Sequence, residues 1–268
     1  MAGSTDDNFK ELYELLSKAR ERYRSVCATV LHTVDATVAR EANRRFIDWR
    51  FDQGSPGMAL VGKLGPPERE DFYHDSEDSE ERIHLWHQRP DRWREEIYDS
   101  EGRITNAEVY ASAGGPRWTY ERKNLEQDNL AIYMPTVPER QGADTRFSFM
   151  LDPSGYVFSE TFWDGTTTNK TGRKATVSDR GCVEVRADTV SWGYPPYVFR
   201  AYDASSEGTT DHLLLINAET GTILRVAARL DGREFRVAEV TEIAYDEQFP
   251  EETFRLELPG VEFRQRNL

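Results

Sequence analysis

The chain has 268 residues, 38% hydrophobic and 31% charged, with aromatics at 12%, which describes a globular protein with a sizeable core rather than a disordered one. Its 48 acids against 34 bases leave a formal net charge of −14. That field repels phosphate polyanions and anionic membrane surfaces, so no nucleic-acid partner is expected. Two cysteines, Cys27 and Cys182, lack any metal-binding spacing. Two thiols in a chain this long point to a reducing compartment, although one bridge between them stays open. The N-terminus has early acids and no apolar stretch of signal-peptide length, and no run reaches about 18 apolar residues. The expectation is a cytoplasmic protein as written, or an exported one if a signal sequence has been removed, with no integral membrane segment.

In chain order, residues 7–24 predict an amphipathic helix. Phe9, Leu12, Tyr13, Leu16, Ala19 and Tyr23 recur at helical spacing, with Asp6, Asp7 and Asn8 at the start and Lys18, Arg20, Arg22 and Arg24 at the end. The period then changes to two. Val26, Ala28, Val30, His32, Val34, Ala36 and Val38 alternate with Cys27, Thr29, Leu31, Thr33, Asp35 and Thr37, a long strand apolar on one side. His32 falls in the apolar row and reads as a core histidine with a hydrogen-bond partner. "NRRFIDWRF" (Asn43–Phe51) predicts a second strand, and the charged stretch at 68–82 an exposed acidic loop without calcium-loop spacing.

Further strands are expected near 83–89, 92–99, 103–111, 117–121, 129–134, 166–171, 181–188, 210–217, 222–231 and 233–245. "NAETG" and "LDGRE" read as hairpin turns between the last three. Asp152 before Pro153 is a helix-start signature. No composition shift divides the chain, so residues 1–268 are expected to form one domain. The fold class is α+β: a strongly curved antiparallel sheet, an incomplete barrel of about 11 strands, covered by helices.

Catalytic signatures are missing: no G-x-S-x-G, H-E-x-x-H, P-loop or G-x-G-x-x-G occurs. His84 and His87 lie three apart on a strand and point to opposite faces, so they share no metal. Glu95 and Glu96 diverge for the same reason. Cys182 sits within a strand pattern and reads as a small buried hydrophobe. What remains is a series of large aromatics on alternating strand positions. An inner face too wide for side chains to fill is suited to an apolar ligand.

The stretch "LWHQRPDRWREEI" (Leu85–Ile97) reads as a hairpin broken at Pro90. Ile83, Leu85, His87 and Arg89 share one face, and Trp93, Glu95 and Ile97 one side of the return strand. The pattern Leu85-Trp86, then Arg89-Pro90 and Trp93, resembles the LolA-type lipoprotein-carrier superfamily, which includes RseB-like relatives. "GGPRWTY" is similar to that family's glycine-led aromatic strand and supplies Trp118 and Tyr120. The closing hairpins and the tail to "LPGVEF" resemble the family's C-terminus. The resemblance implies an open barrel with a hydrophobic cavity and a lid of helices; the missing signatures lead to the expectation of no catalysis and no cofactor. The resemblance also implies binding of a lipid or other hydrophobic small molecule; the alternative is a protein-interaction or regulatory module with a protein partner and no small-molecule ligand. Leu85, His87, Arg89, Trp93, Trp118 and Tyr120 are the expected ligand-lining residues, Arg89 being placed to meet an anionic head group.

Overall fold

The computed structural model describes residues 5–52, 78–112, 114–122, 129–135, 145–153, 166–177, 179–189 and 208–266. Twelve strands form one sheet: β1 Ser25–Val34, β2 Ser79–Gln88, β3 Arg92–Tyr98, β4 Ile104–Tyr110, β5 Arg117–Glu121, β6 Leu130–Met134, β7 Thr166–Val177, β8 Arg180–Thr189, β9 Asp211–Asn217, β10 Ile223–Leu230, β11 Arg233–Tyr245 and β12 Arg264–Gln265. Their order is β12-β6-β5-β4-β3-β2-β1-β11-β10-β9-β8-β7. Every pairing is antiparallel except β12 on β6. The sheet is an open half-barrel, with β12 and β7 as its edges. The α+β expectation stands. The twelfth strand, β12, is two residues long and directly follows the tail "LPGVEF", whose end reads as a short strand from sequence.

The alternation of β1 sorts its side chains: Val26, Ala28, Val30, His32 and Val34 are buried on the inner face. Register extends that face to Ile83, Leu85 and His87 on β2, to Trp93, Glu95 and Ile97 on β3, and to Ala238 and Val240 on β11. Among the described residues, three α-helices lie with the sheet: α1 Thr5–Ser17, α2 Ala36–Asp52 and α3 Ser148–Leu151. Helix cover is modest. Leu12 and Leu16 of α1 and Phe149, Met150 and Leu151 of α3 join the inner-face core. Val38, Ala39 and Ala42 of α2 form a second cluster with Ala228, Leu230 and Phe235.

Several expectations need correction. The strand expected at Asn43–Phe51 is the second half of α2, and β1 stops at Val34. Asp35 ends it by capping the helix: its carboxylate accepts the N–H groups of Thr37 and Val38 at 2.9 and 3.1 Å. The helix expected over 7–24 ends at Ser17, and Ala19–Arg22 form a 3-10 turn. Arg20 and Arg22 serve tertiary contacts instead of the helix end: Arg20 pairs with Asp91, and Arg22 donates to the Glu219 carbonyl. Residues 79–82 of the expected acidic loop begin β2, and 68–77 lie outside the described residues. The helix expected after Pro153 also lies outside them; the described helix α3 precedes Asp152. Both cysteines are free.

The two hairpin turns form as expected. Asp231 and Gly232 both take positive φ (51° and 81°), the geometry of a two-residue hairpin. Gly221 at φ 77° closes "NAETG", where the Asn217 side chain accepts the N–H groups of Glu219 and Thr220. A Cβ at Gly221 would lie 2.3 Å from the Leu15 carbonyl oxygen, so this turn abuts the α1 backbone.

Candidate functional site

The six expected ligand-lining residues divide between the two faces of the sheet. Leu85, His87 and Trp93 lie together on the inner face, each 2% exposed or less. The His87 ring stacks on Trp93 at 3.9 Å and 8°, and the Tyr23 ring meets His87 edge-on at 5.7 Å. Leu85 and Trp93 belong to one core cluster with Tyr23, Phe147, Phe149, Met150 and Leu151. Arg89 sits at the rim, exposed. Its backbone N–H donates to the Arg24 carbonyl at 2.9 Å, and the Arg89–Pro90 peptide is cis.

Trp118 and Tyr120 point the other way. Register pairs Val109 with Trp118 and Ala107 with Tyr120, while Arg94 faces Val109 and Glu96 faces Ala107. Those residues lie on the outer face, opposite Trp93 and Glu95. The expected set is therefore two sets, because the motif for Trp118 and Tyr120 carries no information on the register of β4 and β5, and a slip of one residue flips a strand's faces.

The outer face has its own cover, a strap formed by the chain after β11. Phe254 and Leu256 pack on Ala107, Val109, Tyr120 and Ala131, flanked by Trp86, Trp118, Phe249, Leu258, Val261 and Phe263. Arg94 holds the strap down. It donates to the carbonyls of Thr253 (2.7 Å) and Arg255 (3.3 Å), and its Nε reaches Glu96 at 3.1 Å. Arg92 adds a pair to Glu251 at 2.9 Å. The partners of both arginines on the strap lie about 160 residues away in sequence, and no local pattern announces them.

Between the strap and β5–β6 an open groove of about 620 Å³ remains. Trp118, Tyr133, Leu256, Leu258, Val261 and Phe263 line it, with Arg255 and Glu257 at its mouth. The Trp118 and Tyr133 rings face each other across β5 and β6 at 5.2 Å. Six of its eight lining side chains are apolar or aromatic, and the groove is open, with polar atoms contributing about as much of its surface as apolar ones.

The inner face holds an unusual number of buried polar groups. His32 (1% exposed) meets Glu81 through Nδ1 at 2.9 Å, and Arg146 reaches the same Glu81 oxygen at 3.0 Å. The expectation of a partnered core histidine holds. Burial pulls His32 below its usual value, against the pull of Glu81. Burial, reinforced by the charges of Arg20 and Arg89, pulls His87 to about 3. His212 is pulled to about 3 by burial and by Arg229. Glu95 goes the other way, pushed up to about 7, chiefly by burial. Among the described residues no group of three or more His, Cys, Asp or Glu side chains is placed to hold a metal ion. Among them, too, no helix is long and apolar enough to cross a membrane.

No family model matches the chain, and no curated protein matches it. Solved structures do show similarity at low identity. An uncharacterized conserved protein from Thermus thermophilus aligns at 10% identity and a TM-score of 0.47, covering 96% of this chain and 99% of that one. A chain of the Pseudomonas aeruginosa MucA/MucB complex aligns at 12% and 0.47, covering 95% of this chain and 62% of that one. A LolA superfamily protein from Nitrosomonas europaea aligns at 10% and 0.31, covering 92% and 97%. Of the three, the last is a LolA superfamily protein. At such identities and scores they carry no argument about function, which rests on the sites themselves.

Proposed function

We propose that the protein is a non-catalytic binder of a lipid or other hydrophobic small molecule, seated in the groove between β5–β6 and the C-terminal strap. The groove is the observation that carries this reading: about 620 Å³ of open space walled by Trp118, Tyr133, Leu256, Leu258, Val261 and Phe263. An acyl chain buries its methylenes against such walls at about 0.8 kcal/mol each. Arg255 in the lining, paired with Glu257 at 2.9 Å, supplies the cation that an acidic head group would take over from that carboxylate. The inner-face residues Leu85, His87 and Trp93 serve as core in this arrangement, and Arg89 as a rim contact to the N-terminal turn.

Titration with a fluorescent fatty acid, alongside native mass spectrometry, tests the proposal. Wild type takes up the probe, and Trp118→Ala and Phe263→Ala lose it. No uptake by wild type refutes binding. Uptake unchanged in both variants refutes the groove as its seat.

One observation favours a protein partner instead. Leu130, 40% exposed, lies on β6 on the face opposite the groove, and β12 pairs only with Ile132 and Tyr133, which leaves the edge at Leu130–Ala131 uncovered by it. An extended peptide could add there as a strand. A stoichiometric partner whose binding is lost in Leu130→Asp, with no fatty-acid uptake by wild type, would decide for that reading.

A further inference from the structure

The outer face carries a second recess, away from the groove and sharing no residue with it. It holds about 340 Å³, between the start of β2, the end of β3 and the turn that joins β3 to β4. Glu80, Arg82 and His84 of β2 and Tyr98 of β3 form its walls, with Asp99 and Ser100 of the turn. Alternation puts the three β2 residues on the side of their strand opposite Ile83 and Leu85, and register sets Tyr98 directly across from Arg82.

Much of the wall is fixed. The His84 ring is in contact with those of Tyr98 at 5.1 Å and Trp86 at 5.8 Å, and the Tyr98 hydroxyl donates to Glu96 at 2.6 Å. Asp99 organises the turn. One of its carboxylate oxygens accepts the N–H groups of Glu101 and Arg103 at 3.0 and 2.9 Å, the other takes the Arg103 Nε at 2.8 Å, and its carbonyl accepts the Gly102 N–H at 2.9 Å. Four groups around this frame are not engaged. Among the described residues, the side chains of Glu80, Arg82, His84 and Ser100 make no hydrogen bond, and Glu80 and Arg82 no ion pair.

Their neighbours differ. Arg92, Arg94 and Arg103 each hold a carboxylate. Arg94 and Glu96 lie two apart on β3, the spacing of Glu80 and Arg82 on β2, and they close on each other. At the recess, cation and anion stay apart.

We propose that this recess binds a small zwitterion, an α-amino acid with an aromatic side chain: Arg82 takes the carboxylate, Glu80 the ammonium, and the Tyr98 and His84 rings the side chain. Residues two apart on one face of a strand are separated by about 7 Å at the backbone, so their long side chains can converge on a ligand that carries both charges. A bare anion is repelled by Glu80 and a bare cation by Arg82. Burial keeps His84 below its usual value, so at neutral pH its ring is uncharged and offers one donor and one acceptor besides. The recess lies apart from the groove, and the proposal does not depend on the groove reading.

The test is an NMR titration of the full chain with three probes of one skeleton: L-phenylalanine, hydrocinnamate, which lacks the ammonium, and phenethylamine, which lacks the carboxylate. L-phenylalanine shifts the Ser100 and Gly102 amides and the His84 ring together and saturably, and each single-charge analogue binds about tenfold more weakly. Arg82→Leu and Glu80→Gln each weaken L-phenylalanine by about the same factor. Arg82→Leu no longer separates it from phenethylamine, and Glu80→Gln no longer separates it from hydrocinnamate. No saturable shift with L-phenylalanine, up to its solubility limit, overturns the proposal. So does an analogue that binds wild type as tightly, or either variant that binds L-phenylalanine as wild type does. Both substituted side chains are exposed, so the fold should tolerate the changes, and the three-probe comparison on wild type decides without them.

Discussion

Two tryptophans on opposite faces of one sheet should fail in opposite ways when cut to alanine. Trp93 is 2% exposed and stacked on His87 at 3.9 Å. Removing a buried Trp or Phe side chain costs about 3–5 kcal/mol, and losing a stacked aromatic partner adds about 0.5–1.5 kcal/mol. Against a total stability of about 5–15 kcal/mol, that is a large fraction. With a urea slope near the upper end of the usual range, about 3 kcal/mol per M, the midpoint should fall by roughly 1 M or more. Trp118 is only half-buried at the groove, so Trp118→Ala should move the midpoint by no more than a few tenths of a molar and abolish uptake of a fluorescent fatty acid. Urea unfolding followed by circular dichroism, together with probe titration, reads both. If Trp118→Ala destabilises as much as Trp93→Ala, the division into core face and binding face is wrong. If it keeps full probe uptake, the groove is not the ligand seat.

Arg94→Leu should release the strap, leaving Glu96 a buried carboxylate without its cation and held only by the Tyr98 hydroxyl, at a cost of about 3 kcal/mol; limited proteolysis should then cut within 246–266 far faster than in wild type. Gly221→Ala should lower the melting temperature. The left-handed backbone alone costs an L-residue about 1–2 kcal/mol, and the added carbon collides with the Leu15 carbonyl, which cannot move without α1. Stability should also fall on acidification. His87 and His212, at about 3 in the folded protein against 6.5 unfolded, are two groups that must take up protons on unfolding as pH drops below 6.5. Glu95, raised to about 7, opposes them with one proton between 4.5 and 7. The net loss is about 1.4 kcal/mol per pH unit from 6.5 to 4.5, and about 2.7 below that until the histidines titrate. Urea midpoints at pH 4, 5, 6 and 7 check the slope, and a flat profile would contradict the burial of both histidines.

The strands are legible because their alternation is local. The inner row of β1 and the hairpin at Asp231–Gly232 can be read directly from residue order. The misreading at Asn43–Phe51 has a specific cause. The helical spacing of Val38, Ala39, Ala42, Phe46 and Ile47 emerges only in a window that begins at Ala36. The period-two pattern of β1 absorbs those first positions, and Asp35 as a cap is the missed signal. The expected lining residues are split for a different reason. Leu85, His87 and Trp93 come together, as core, because they flank one hairpin with a fixed register. Trp118 and Tyr120 fall on the other face because nothing near them states how β4 and β5 align. The strap's ties and the hydrogen bonds that the Arg146 and Phe147 N–H groups give Glu95 are not legible, since each joins segments about 50 or more residues apart.

The strand order also constrains when the molecule can be assembled. β1, made first, lies between β2, its successor in the chain, and β11, which ends at Tyr245. β2–β6 and β7–β11 are each runs of consecutive antiparallel neighbours, so each can zip up from local turns. The seam between the runs is the β1–β11 pairing, joining residues more than 200 positions apart. During synthesis one side of β1 must therefore wait for nearly the whole chain, its backbone groups available to any passing strand. A product shortened before residue 233 would keep that edge permanently open, so aggregation rather than partial function is its expected fate.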